Sequence, residues 1–178
     1  MENSLPQPVW KTKSGEIRCP GDSCSKKCDE TCPIFLNTLG LQAMLFQMID
    51  PAKEYFSKSL KIESDFSDAY VNLATCQGMQ NNHEEALKNY VKAFELAPKK
   101  INCPRGIAIA LKNLGRYKEA IEYCSICENI GYDETGKVQE IREYCEGKLK
   151  KAGKTQSEGK QKKSPIEFFK RVFNFIKK

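Results

Sequence analysis

Residues 67–100 read SDAYVNLATCQGMQNNHEEALKNYVKAFELAPKK, two apolar stripes divided by a polar turn. Ala69, Tyr70, Leu73 and Ala74 fall at i, i+1, i+4 and i+5, which gathers them on one face of a helix. After Gln80-Asn81-Asn82-His83, a second stripe runs through Ala86, Leu87, Tyr90, Ala93 and Phe94. Pro98 closes the unit because proline cannot continue a helix. The stretch therefore predicts a pair of helices, each with an apolar face it cannot bury alone.

The same pattern recurs on both sides at a fixed spacing. Ala52, Ala86 and Ala120 stand 34 residues apart. Leu39 recurs as Leu73 and Ile107, and Phe56 as Tyr90 and Cys124. The turn before His83 has its counterpart in Gly115-Arg116-Tyr117. A period of this size implies stacked supersecondary units, each completing its neighbour's core. The reading is an all-α, helical-hairpin solenoid with repeats at 33–66, 67–100 and 101–134.

The pattern resembles the tetratricopeptide repeat family. An aromatic, a leucine and a small residue mark the first helix, and Ala, an aromatic, Ala and Pro mark the second. The first repeat supplies Leu36, Leu39, Gly40, Ala52 and Phe56, and the third supplies Gly115, Tyr117, Glu119, Ala120 and Ile121. In the first repeat, Asp50-Pro51 predicts an N-cap and a proline at the first helical position. In the third, Pro104 replaces the family's aromatic, and the first helix is expected to begin near Arg105. A capping helix over 135–150 should follow, with Val138, Ile141, Tyr144, Cys145 and Leu149 on its apolar face.

The resemblance implies a groove lined by the first helices of the repeats. It assigns Asn37, Leu41 and Met44 to the first, Val71, Asn72, Thr75 and Gly78 to the second, and Arg105, Ile109 and Lys112 to the third. One subset of the family grips a chaperone's terminal carboxylate with Lys, Asn and Arg. Only Asn72 matches that set, while Thr38 and Gly106 occupy positions where polar clamp residues are expected. A carboxylate clamp is not expected here, but a protein or peptide partner is.

Two segments lie outside the repeat. Residues 1–32 form an N-terminal arm with Cys19, Cys24, Cys28 and Cys32 inside CPGDSCSKKCDETCP. Four thiols so close together, among Pro, Gly and charged residues, suit a metal loop rather than a core. Tetrahedral zinc and an iron–sulfur cluster both accept such ligands, and disulfides or reduced thiols are the remaining readings. Pro33 is expected to open the first helix with Cys32 capping it. The Cys124-x-x-Cys127 spacing imitates a redox motif but falls at two core positions of the repeat. Cys76, Cys103 and Cys145 also read as packing residues, and His83 as structural.

The second segment follows a basic linker at 151–163. Ser164, Pro165 and Glu167 make a helix start for residues 164–178. On a helical wheel, Ile166, Phe168, Phe169, Val172, Phe173, Phe175 and Ile176 share one half. Lys170 and Arg171 lie on the other with Glu167, Asn174, Lys177 and Lys178. A basic, aromatic helix of this kind fits an anionic membrane surface. It also fits docking on the groove residues Leu41, Met44 and Val71. Nucleic acid is disfavoured, since the phenylalanines are segregated from the charges rather than interleaved.

Charge agrees with this division. The 178 residues carry a net charge of +6, yet residues 151–178 alone carry +7 and the first 150 carry −1. The opening MENSLPQPVWKTKSGE has no apolar run that predicts a secretory signal, so a reducing cytoplasmic setting is expected, with peripheral attachment at the inner face of a membrane. A single histidine removes two-histidine metalloprotease chemistry and argues against a hydrolase triad. The expected function is a non-enzymatic interaction scaffold with a structural zinc site. An iron–sulfur redox protein that uses the repeats for docking is the alternative.

Overall fold

The computed structural model describes residues 31–100, 102–131 and 136–153. Among the described residues it contains seven α-helices and no strand. They are α1 (Pro33–Leu45), α2 (Ile49–Ile62), α3 (Ser67–Met79), α4 (His83–Leu96), α5 (Asn102–Asn113), α6 (Tyr117–Asn129) and α7 (Lys137–Ala152). Each helix packs on the next, and α1 on α3, α3 on α5 and α5 on α7 also touch. This is a stack of three hairpins closed by α7, as the period implies.

The three hairpin turns are built alike. Gln47, Asn81 and Gly115 occupy the same position of the period with φ of 60°, 63° and 74°. In each turn the next amide reaches back five residues: Met48 to Ala43, Asn82 to Gln77 and Arg116 to Leu111, all at 2.9 Å. The preceding amides bond three residues back, to Met44, Gly78 and Lys112. This double closure satisfies the terminal carbonyls of α1, α3 and α5 and requires one left-handed residue. Glycine meets that requirement without a steric cost in the third turn, and asparagine tolerates it in the second.

The core follows the repeat positions. Ala52, Ala86 and Ala120 are buried, and Phe56, Ile107 and Cys124 are fully buried. Phe94, Leu111, Tyr123, Val138 and Ile141 join the main cluster in the second half of the stack. Gly40 lets the Phe56 ring lie against α1, since a Cβ there would stand 2.4 Å from the ring. Ser59, also buried, donates its hydroxyl to the Pro33 carbonyl at 2.8 Å and ties α2 to the start of α1.

Several expectations at helix ends are corrected. Cys32 is the N-cap of α1 with Pro33 behind it, as expected, but Asp50 does not cap α2. Met48 holds that position, and Asp50 and Pro51 lie inside the first turn. There Asp50 accepts from the Gln80 side chain at 2.8 Å, a bond to the neighbouring hairpin that holds its carboxyl below the usual value. Helix α5 begins at Asn102 rather than near Arg105, and Pro104 sits buried in its first turn, where a missing amide hydrogen leaves no bond unmade. Tyr144, assigned to the buried face of the last helix, is 48% exposed. The residues one, two and three periods earlier, Ala110, Cys76 and Gln42, are buried, but no further hairpin follows α7 among the described residues.

Candidate partner-binding groove

Short turns make consecutive helices antiparallel, so α1, α3, α5 and α7 run the same way and line one side of the stack. On that side Leu41 and Ile109 hold the same position of the period and are 40% and 39% exposed. Their counterpart in the middle repeat is Thr75, whose hydroxyl donates to the Val71 carbonyl at 2.8 Å. Met44, Val71, Gly78 and Lys112 are half-buried around them. The face is thus apolar at both ends of one register line, with a hydroxyl between.

Two polar links organise this face. Asn72 Nδ2 donates to Asn37 Oδ1 at 2.9 Å, joining α3 to α1, and Asn37 is itself buried. Asn37 is therefore a joint beneath the groove rather than a lining side chain. Thr75 and Tyr90 hydroxyls hydrogen-bond at 2.9 Å, joining α3 to α4. Burial pushes the Tyr90 hydroxyl above its ordinary pKa, so it stays neutral and can keep that bond. The Tyr90 ring also fills the space beside Gly106, where a Cβ would stand 2.4 Å from it. Position 106 is thus used for helix contact, and no clamp residue fits there with Tyr90 in place.

The far end of the groove carries positive charge. Lys112 Nζ lies 5.5 Å from the centre of the Tyr144 ring, and Lys148 Nζ lies 5.3 Å from it. Tyr117 meets the same ring edge-on at 6.3 Å. Ammonium groups over an aromatic face attract its quadrupole, which keeps both lysines near the ring while leaving their charge accessible. Arg105 is half-buried and donates to Asn102 Oδ1 at 3.2 Å. Sequence reasoning missed Tyr144 as a surface group, although its place in the last helix of the period was the available signal.

Five of the six described cysteines behave as core. Cys76, Cys103, Cys124, Cys127 and Cys145 are all fully buried. Burial pushes the Cys76 and Cys103 thiols up to about 11, and burial with Cys124 nearby pushes Cys127 up to about 12. Cys124 and Cys127 are thus packed inside the fold at the positions the repeat register implies, and the raised Cys127 thiol stays protonated and a poor nucleophile. Of the metal loop only Cys32 is described, half-buried ahead of α1; Cys19, Cys24 and Cys28 lie outside the described residues. Among the described residues no three metal-ligating side chains converge. The segment 164–178 also lies outside them, and among the described residues no helix is long and apolar enough to cross a membrane.

Comparison with known proteins agrees with the geometry. Residues 67–100 match the tetratricopeptide repeat family. No curated protein matches the chain by sequence. The fold is similar to the tetratricopeptide domain of Sgt2 from Aspergillus fumigatus, with a TM-score of 0.65 and 18% identity over 75% of this chain and 89% of that one. It is similar to the Arabidopsis OM64 domain at a TM-score of 0.62 and 16% identity, covering 65% of this chain and 94% of that one. It also resembles the TPR2B domain of yeast Sti1, solved as a complex with pHsp70, at a TM-score of 0.62 and 14% identity over 65% of this chain and 97% of that one. The described helices thus form a tetratricopeptide-repeat solenoid, three hairpins closed by a seventh helix, with the repeat pattern most complete in the second.

Proposed function

We propose that the chain is a non-enzymatic adaptor that holds a peptide or protein segment against α1, α3 and α5. The observation that carries this is the placement of Leu41 and Ile109, large apolar side chains left exposed at one register on the helices that line the groove. Exposed apolar positions spaced along a rigid face suit the anchors of an amphipathic or extended ligand. Lys112, Lys148 and Tyr144 at the far end favour a ligand with an acidic or aromatic residue there. The Sti1 domain named above was solved as a complex with pHsp70, which supports a binding role without identifying this ligand.

The two ends complete the proposal. Cys19, Cys24, Cys28 and Cys32 hold a structural zinc ion ahead of α1, and residues 164–178 attach the adaptor to an anionic membrane at its cytoplasmic face. Random-peptide display on the full chain tests the groove. Enriched peptides should lose binding to a Leu41→Ser/Ile109→Ser variant and keep it to a Lys88→Ser control at an exposed position of α4. Peptides that bind all three proteins equally would remove the groove as the recognition surface. Metal analysis checks the loop, with zinc expected in the parent and lost in Cys24→Ser/Cys28→Ser. Iron with visible absorbance would instead establish the redox alternative.

A further inference from the structure

The edge formed by the first two hairpin turns carries its own exposed patch. Leu45 is 84% exposed, Phe46 58% and Met79 55%. Leu45 and Met79 are the last residues of α1 and α3. The two turns are fastened together by Gln80, which donates to Asp50 at 2.8 Å and accepts from Lys53 at 2.7 Å. Exposed Asp50, Glu84 and Glu85, in the first turns of α2 and α4, border the same edge; Asp50 pairs with Lys53 at 3.5 Å and Glu85 with Lys88 at 2.6 Å, surface pairs that an incoming cation can exchange at little cost. Carboxylates are favoured there by the helix N-termini. An apolar patch with an acidic border complements a helix that is apolar on one face and basic on the other.

We propose that residues 164–178 dock on this edge within the same molecule. Phe169 and Phe173 would cover Leu45, Phe46 and Met79, while Lys170 and Arg171 approach Asp50, Glu84 and Glu85. The point where the described chain ends favours this occupant. Helix α7 runs parallel to α1 and α3, so Ala152 leaves it toward the edge that carries Leu45 and Met79. Packed helices lie about 8–10 Å apart, which puts the α1–α3 edge about 20–30 Å from α7. Residues 154–163, fully extended, span about 35 Å. The linker reaches the patch with little slack, and a short linker holds the local concentration of the helix near the millimolar range.

The inference rests on the amphipathic reading of residues 164–178 and uses a different face from the groove. It adds a consequence for membrane attachment: the same phenylalanines cannot cover Leu45 and Met79 while they enter lipid. The repeat edge and the anionic surface compete for one helix, so attachment would uncover the edge.

Hydrogen exchange on the full chain tests this against a Phe169→Asp/Phe173→Asp variant whose repeats are untouched. With an effective concentration of about 1 mM and an intrinsic Kd of about 0.1 mM, edge amides at 44–50 and 78–86 should exchange about tenfold slower in the parent. Glu84→Lys/Glu85→Lys should reduce this protection while circular dichroism stays unchanged. Phosphatidylserine vesicles should abolish it in the parent. Equal exchange in parent and phenylalanine variant would overturn the docking. Protection that rises with protein concentration would assign the edge to a second copy, and edge protection that persists on pelleted vesicles would overturn the competition.

Discussion

Replacing Gly106 with alanine adds one methyl group inside α5, at the joint between the second and third repeats. The new Cβ would stand 2.4 Å from Tyr90 Cε1 and 2.6 Å from both Cδ1 and Cζ. All three contacts are far inside van der Waals separation, and they meet the ring itself rather than a flexible tip. The ring is anchored at its other end by the 2.9 Å bond between the Tyr90 and Thr75 hydroxyls. Accommodating the methyl must therefore tilt Tyr90 and strain or break that bond. Overpacking of this kind costs about 1–3 kcal/mol, and loss of the hydroxyl pair adds about 1 kcal/mol. Alanine's helix propensity returns about 1 kcal/mol. The expected net loss is about 1–3 kcal/mol.

Urea unfolding of the full chain, followed by far-UV circular dichroism, reads this as a lower midpoint with an unchanged slope. Gly147→Ala in α7 serves as the opposite case, because a Cβ there meets nothing within 4 Å. That variant should gain up to about 1 kcal/mol. Adding Tyr90→Ala should relieve the Gly106→Ala penalty, which a double-mutant cycle measures directly. If Gly106→Ala is as stable as the parent, or gains as Gly147→Ala does, the close approach of α5 to Tyr90 is refuted.

Gln47→Gly should stabilise the chain by up to about 1 kcal/mol, since Gln47 sits at φ 60° where glycine carries no steric cost; an unchanged urea midpoint would contradict the turn assignment. Arg142→Ala should cost about 1 kcal/mol, less in high salt, because its guanidinium bonds both oxygens of the partly exposed Glu128 and the hydroxyl of Ser125. Limited proteolysis should then cut α7 first, and cleavage elsewhere would argue against this anchor. Burial raises Cys103 to about 11 and Cys127 to about 12, so at pH 8 their thiolate fractions are ~10⁻³ and ~10⁻⁴ and iodoacetamide should label them only after unfolding. The same shifts carry a sign: the native state keeps protons that the unfolded chain loses above about pH 9, so stability should fall as pH rises from 9 toward 11. A flat stability profile across that window would show that these thiols titrate normally in the fold.

The hairpins were legible because helix periodicity is local. Stripes such as Ala86, Leu87, Tyr90, Ala93 and Phe94 need only the 3.6-residue turn to declare a face, and Pro98 marks the end by its own chemistry. The 34-residue spacing then implies stacking, because each stripe requires a neighbour. The core role of Cys124 and Cys127 followed from register alone, and both are fully buried. Helix ends were less legible. Asp50 has the chemistry of a cap, yet a bond to Gln80 in the adjacent hairpin uses its carboxylate instead.

What the amino-acid sequence determines by itself is the solenoid: where the helices lie, how they pair and which stripe each repeat helix buries. Its period also placed Leu41, Thr75 and Ile109 on one line. Only the tertiary structure decided which groove positions remain available to a ligand. Asn37 is withdrawn into a bond with Asn72, Gly106 yields its space to Tyr90, and Tyr144 emerges between Lys112 and Lys148. The physical reason is one of range. A helix face is set by neighbours three and four positions away, whereas exposure at a groove depends on side chains a whole repeat away and on whether another hairpin follows to cover them.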